Sequence, residues 1–263
     1  ILALDKFLES KRFFNTNRSK PNIKKYLDLV ALGTICDMVP LKNLNRFFVK
    51  EGILKINKKI NLGIKILIEK LNIKKTLDTS DLGFYLGPCI NAPGRVGESS
   101  LGFKILTSKN EVYVREAVDA MIQNNLERKT LEKISCTQAI NKIRFKKLSD
   151  NILNTKFILV QDTSWHPGII GIIASRLTKK YNIPSIVISL KQKNAKGSIR
   201  SIKGINAVDI IDFLKKNNSI LNGGGHNMAG GFTTEKKFLN SINKSLHAFF
   251  ADISINNNNF LEN

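Results

Sequence analysis

Between Tyr26 and Leu41 the chain reads YLDLVALGTICDMVPL, apolar at nearly every position, interrupted by Asp28, Thr34 and Asp37 and stopped at Pro40. A run this long predicts a buried helix rather than a strand. NRFFVKEGILKI and LGIKILIEKL, which follow, repeat apolar side chains at three- and four-residue steps, the period of amphipathic helices. LDTSDLGFYLGPCINAPGR comes next, with Ser80 as candidate N-cap of a helix and a Gly/Pro loop at its end. From 110 to 150 the chain is highly charged and free of Gly and Pro. Val114, Ala117 and Met121, then Leu131 and Ile134, recur at helical spacing. The pattern predicts one long helix joining two domains; a helix inside a single bundle would read the same way.

Beyond Asp150 the texture changes. FILVQD and PSIVISL are apolar runs of strand length, and GSIRSI and GGFTT are candidate strands. IIGIIASRLTKKYN and INAVDIIDFLKK carry helical periodicity between them. Alternating strands and helices predict an α/β domain over 151–250. The remainder, 251–263, is Asn-rich with few apolar residues and reads as a frayed tail or linker.

Composition narrows the function classes. The chain has 263 residues with 42 Lys and Arg against 21 Asp and Glu, a net charge of +21. That balance points to a polyanion partner such as nucleic acid. The excess of Lys over Arg, with abundant Asn and Ile, also fits a compositional bias of AT-rich coding DNA. Cys36, Cys89 and Cys136 are odd in number, and no CxxC pair occurs. A zinc knuckle and a disulfide framework are therefore not expected, and a reducing compartment is. No apolar run is long enough for a membrane span. The first residue is Ile1 rather than Met, so the chain is expected to be a processed or truncated piece.

Four stretches could carry chemistry. LNGGGHNMAGGF holds five glycines around His226. Gly223, Gly224 and Gly225 could form a nest of backbone N–H groups for an anion, with His226 donating to a phosphate or stacking on a base. A tight turn is the alternative. GSIRSIKG would place Ser198 and Arg200 on one strand face, a hydroxyl and a guanidinium suited to phosphate; a solvated edge strand is the alternative. WHPGIIG sets a helix start after a Gly loop, where free N–H groups bind anions, and His166 is either a ligand or a structural cap. Asp37, in an apolar helix, calls for a cation, hydrogen bonds or a metal ion. A single Asp does not build a hydrolytic metal site, and no DxD, HxxxH or DHH occurs in the chain.

Six stretches occur in one order: VALGTICDMVPLKNLNR, DLGFYLGPCINAPGR followed by SLGFKILTS, NNLERKTLE, WHPGIIGIIASRL, KGSIRSI and GGGHNMAGG. Together, from Leu27 to Phe232, they resemble the RecJ family of single-strand-specific 5′→3′ DNA exonucleases, in the DHH/DHHA1 phosphoesterase superfamily. The resemblance implies the C-terminal, mostly helical part of a DHH catalytic domain over 1–109. It implies a connecting helix over 110–150 and a DHHA1 α/β domain with a mixed sheet over 151–250. It implies a two-metal site for Mn²⁺ or Mg²⁺ in which Asp37 is one ligand, the others lying before Ile1. Ser198, Arg200, His226 and Gly223 to Gly225 match the elements that hold DNA phosphates, and Arg95 matches a basic position beside the DNA path. Cys89 and Pro93 depart from the family's GPRINAAGR pattern, which puts an Arg contact in doubt.

The implied activity is hydrolysis of single-stranded DNA in repair and recombination, in the cytoplasm, by a monomer working with a single-strand-binding protein and a helicase. Without the other metal ligands, the chain alone is expected to hydrolyse nothing. Two rival readings remain: a phosphodiesterase acting on oligonucleotides or cyclic dinucleotides, and a nucleic-acid-binding remnant without catalysis.

Overall fold

A computed structural model describes the backbone of residues 2–150 and 156–251 and the side chains of the same residues except 146–150. The expected tail beyond residue 251 lies outside the described residues. The chain folds as two compact units. The first holds residues up to Ile90 and Gly102–Ala120; the second holds Asn91–Leu101 and the chain from Met121 onward.

The first unit is helical: α1 (Leu2–Ser10), α2 (Leu27–Cys36), α3 (Asn43–Asn57), α4 (Leu62–Lys70), α5 (Thr79–Asp81) and α6 (Gly87–Asn91), then α8 (Leu101–Thr107) after the short α7 (Pro93–Val96). Residues 111–120 open α9 (Glu111–Asp150), the long helix that the charged segment predicts. Two close approaches fix the packing. A Cβ on Gly52 would stand 2.2 Å from Leu27 O, so α3 lies directly on α2. A Cβ on Gly63 would stand 2.4 Å from Ile105 O, so α4 lies on α8.

Three local expectations are corrected here. The apolar run from Tyr26 yields α2, but the helix ends at Cys36 rather than at Pro40, and only Asp28, Ala31 and Leu32 along it are buried. Asp37 is its exposed C-cap: its N–H bonds Gly33 O, and Met38 turns to φ 53°. The N-cap near Ser80 is Asp78, because Asp78 and Asp81 form a reciprocal capping box in which each side chain accepts the other's backbone N–H. The expected Gly/Pro loop is helical instead. A π turn at Leu82–Leu86 leads into α6, and Pro93 opens α7, where its missing N–H costs nothing.

The second unit is a five-stranded mixed sheet with helices on both faces. The strands are β1 (Ile158–Asp162), β2 (Ser185–Ser189), β3 (Ala195–Arg200), β4 (Asn222–His226) and β5 (Ala229–Thr234), in the order β1-β2-β3-β5-β4. Only β1 and β2 are parallel. Alternation sorts the strand residues between two cores. Ile186, Ile188 and Ile199 join Ile210, Ile211 and Leu214 of α11 (Ala207–Lys216), with Ile242 and Leu246 of α12 (Leu239–Ala251). On the other face Val187 joins Ile173 and Leu177 of α10 (Ile170–Tyr181), with Ala139 and Ile143 of α9. Helix α10 packs on β2 and β3, whereas α11 packs on β4 and β5. Among the described residues the sheet therefore runs out past α10, leaving the α10-side surface of β5 and β4 open at Gly224 and Gly231.

Candidate functional site

That surface is the floor of an open cleft of about 750 Å³. Strand register sets two rows of its floor, with a third row beside them that is not part of the lining. Lys196 faces Thr233 and Asn222; Ser198 faces Gly231 and Gly224; Arg200 faces Ala229 and His226. The middle row thus holds one hydroxyl followed by two residues without side chains. One wall is Pro167, Gly168, Ile170 and Gly171 at the start of α10, and Arg95 closes a rim.

Arg200 is held from three sides. Its Nε donates to Ser175 Oγ at 3.1 Å, and its Nη1 donates to Ser198 Oγ at 3.1 Å and to Ile199 O at 2.9 Å. Thr178 Oγ1 donates to its backbone oxygen at 3.2 Å. Gly171, Ser175 and Thr178 follow i, i+4, i+7 spacing on the face of α10 toward β3. A Cβ on Gly171 would stand 3.0 Å from Arg200 Nη2, so the glycine leaves room for the guanidinium. Ser198 is buried, and its Oγ is at 3.5 Å from Gly230 O.

Arg95 donates Nη1 to Gly168 O at 3.3 Å. The contact is tight on the backbone side too: a Cβ on Gly168 would stand 2.0 Å from Arg95 O. Desolvation lowers the pKa of Arg95, and the charge of Arg128 lowers it further against the pull of Glu132. Desolvation also lowers that of Arg200, and there the second cause is the charge of Arg95. Two guanidinium groups that repel one another, Arg95 on the cleft and Arg200 behind its lining Ser198, stand near a helix start, and an anion there would relieve the repulsion.

The glycine motif is not the nest that its sequence suggests. Gly223, Gly224 and Gly225 lie in β4, and the one glycine with left-handed φ among the described residues is Gly204. The nest fails because extended backbone points successive N–H groups to alternate sides, and here the strand pairs with β5. The glycines serve two other purposes. A Cβ on Gly225 would stand 2.3 Å from Ala229 O, and one on Gly223 would press Gly231 O and Ile211 at 3.0 Å, so these two permit packing. A Cβ on Gly224 would meet no described atom within 4 Å, and one on Gly231 only Gly197 O at 3.6 Å. Those two keep the cleft floor flat.

The structure brings Arg95, Ser198, Gly223 and Gly224 to this cleft, and not Gly225, His226 or His166; Arg200 does not line it but donates to the lining Ser198 at 3.1 Å. His226 is exposed, and its Nδ1 accepts from Met228 N–H at 3.4 Å. His166 Nδ1 accepts from Gly168 N–H at 3.1 Å, the arrangement of a structural cap. Burial and then Lys191 lower its pKa, which keeps the ring neutral and able to accept. Sequence reasoning missed Gly171, Ser175, Lys196 and Gly231. For Gly171 and Ser175 the available signal was the spacing of small residues along α10.

Metal chemistry is not built from these residues alone. A hydrolytic metal pair needs several converging carboxylates. Asp37 is exposed, and among the described residues no three His, Cys, Asp or Glu side chains are grouped closely enough to hold an ion.

Residues 154–252 match the DHHA1 domain family. Along most of its length the chain is also similar to the RecJ single-stranded-DNA-specific exonucleases. It is 35% identical to that of Escherichia coli over 242 residues, 90% of this chain and 42% of the relative. It is 34% identical to that of Haemophilus influenzae over 232 residues, 84% of this chain and 39% of the relative. The crystal structure of RecJ from Thermus thermophilus in complex with Mg²⁺ superposes with a TM-score of 0.77 at 28% identity, covering 89% of this chain and 35% of that one. The Mn²⁺ complex gives 0.76 at 29%, covering 89% and 34%. The chain spans about two fifths of the length of the curated relatives it matches.

Proposed function

We propose that the chain is the substrate-holding part of a RecJ-type 5′→3′ exonuclease that hydrolyses single-stranded DNA, and that the cleft on β3, β5 and β4 receives the phosphate at the 5′ end. The supporting observation is Ser198, which accepts from Arg200 Nη1 and lies beside a glycine floor with Arg95 at the rim. In this reading Arg200 and Ser198 bind the phosphate oxygens, Gly224 and Gly231 let the nucleotide lie against the sheet, and Arg95 meets the next phosphate. Asp37 supplies one carboxylate to a metal pair, as expected from relatives whose structures hold Mg²⁺ or Mn²⁺. A metal pair so held would polarise the scissile phosphodiester and activate water. His226, across Ala229 from Arg200, contacts the bound strand rather than the phosphate.

The division into a DHH part over 1–109, a connecting helix over 110–150 and a DHHA1 domain over 151–250 belongs to the same proposal. So do cytoplasmic residence, a monomeric state, and a single-strand-binding protein and a helicase as partners. No described helix is long and apolar enough to cross a membrane. The test is fluorescence anisotropy with the purified chain. Single-stranded oligothymidylate should bind more tightly than a duplex of equal length, and the 5′-phosphorylated strand more tightly than its 5′-hydroxyl counterpart. Equal binding of all three overturns the reading.

A further inference from the structure

Glu132 is among the few buried carboxylates of the chain, 4% exposed in the middle of α9. Two guanidinium groups meet it. Arg128, one turn earlier, donates Nη1 to Oε2 at 2.7 Å, while Arg128 Nε and Nη2 are fixed on Asn125 Oδ1 at 3.2 and 2.9 Å. From α10, Arg176 pairs through Nη2 with Oε1. The carboxylate is thus a tie between two helices. Burying such a charge is costly, and well-packed apolar residues would hold the helices together as well. What apolar packing would not do is fix the rotation and axial position of α10 against polar partners.

Those settings matter at the next residue. Ser175 adjoins Arg176 and accepts from Arg200 Nε at 3.1 Å. Gly171, a turn earlier, lies beside the same guanidinium, where an added Cβ would stand 3.0 Å from Arg200 Nη2. Glu132 also acts on Arg95 by charge, opposing the repulsion from Arg128.

We infer that Glu132 is a positioning residue of the anion cleft: by tying Arg176 and Arg128 it sets α10, and through Ser175 it aims Arg200. The inference rests on the reading of the cleft as a phosphate site. Positioning and simple electrostatics make opposite predictions. Removing a negative charge beside a basic surface, by itself, tightens binding to every DNA strand. Loss of positioning lowers the preference for a 5′-phosphate.

The experiment measures dissociation constants of the full chain for 5′-phosphorylated and 5′-hydroxyl oligothymidylate, in the wild type, Glu132→Gln, Arg200→Lys and the double variant. Glu132→Gln should lower the phosphate preference roughly three- to tenfold, with no further loss on the Arg200→Lys background, because the two act through one contact. A folded Glu132→Gln chain with unchanged preference, or with equal tightening for both strands, overturns the inference while leaving the cleft reading intact. Additive losses in the double variant also overturn it, since a merely structural role would give them. Should Glu132→Gln fail to fold, Arg176→Met, which cuts only the exposed arm, is read by the same criteria. A wild type without phosphate preference brings down the cleft reading, and this inference with it.

Discussion

Arg200 reaches back along its own strand to donate to Ser198 Oγ at 3.1 Å, and a serine of α10, Ser175, holds the other edge of the same guanidinium. The planar fork is therefore preset before any ligand arrives. Lysine has one rotatable ammonium and cannot span both hydroxyls. Arg200→Lys should weaken binding of 5′-phosphorylated single-stranded DNA by about 1.5–3 kcal/mol, roughly ten- to 150-fold, measured by anisotropy at fixed salt. A change below twofold would remove Arg200 from the phosphate site.

The glycines of the GGGH stretch should separate into two kinds. Gly225→Ala drives a methyl group into Ala229 O, and Gly197→Ala drives one to 2.0 Å from the Phe232 ring. Each should cost about 1–3 kcal/mol of stability, read from denaturant midpoints. Gly224→Ala has space in the protein and should melt like the wild type, yet lose DNA affinity because the methyl group stands in the cleft. Equal destabilisation at Gly224 and Gly225 would refute this sorting.

Arg95 should act chiefly through charge. Arg95→Gln removes one phosphate contact, so the slope of log K against log salt for single-stranded DNA should flatten by about 0.7. A lower affinity with an unchanged slope would mean that Arg95 holds the loop at Gly168 rather than the strand.

Acid stability should report on Asp162. Burial raises the pKa of its carboxyl, but the Ser164 N–H, Lys142 and the Ser164 hydroxyl outweigh it and hold the pKa at about 2. A depressed carboxylate contributes stability above its unfolded pKa, and that contribution is lost as pH falls toward 2. Asp162→Asn should therefore cost about 1 kcal/mol near neutrality, after allowance for solvent screening, with the gap to wild type closing between about pH 4 and pH 2. Urea midpoints across that range test it; a gap that persists at pH 2 contradicts the assignment.

Much of this was legible in the sequence where one period dominates. The long helix to Asp150, the alternation of strands and helices, and the shared face of Ser198 and Arg200 follow from spacing. Glycine was the least legible residue. Five glycines around His226 suggested left-handed turns, whereas the backbone is extended and the cause at Gly223, Gly225 and Gly230 is the close approach of β4, β5 and Ile211. Nothing local marks such an approach, because the atoms that forbid a Cβ come from distant segments. Asp37 misled for a related reason: an apolar run does not reveal where it stops, and the helix ended one residue before it. Ser175 and Glu132 went unread because an alternating pattern of polar residues on a helix does not say which of them meet an arginine from another strand or helix.

The central claim is where the phosphate sits, and amide NMR tests it most directly. The ¹⁵N-labelled chain is titrated with 5′-phosphorylated oligothymidylate, and shifts are followed residue by residue. The account predicts the largest changes at Ser198, Gly224, Gly231 and Gly171, with the Arg200 side-chain Nε–H moving alongside them. Saturable shifts that leave these residues unmoved and gather elsewhere would contradict it.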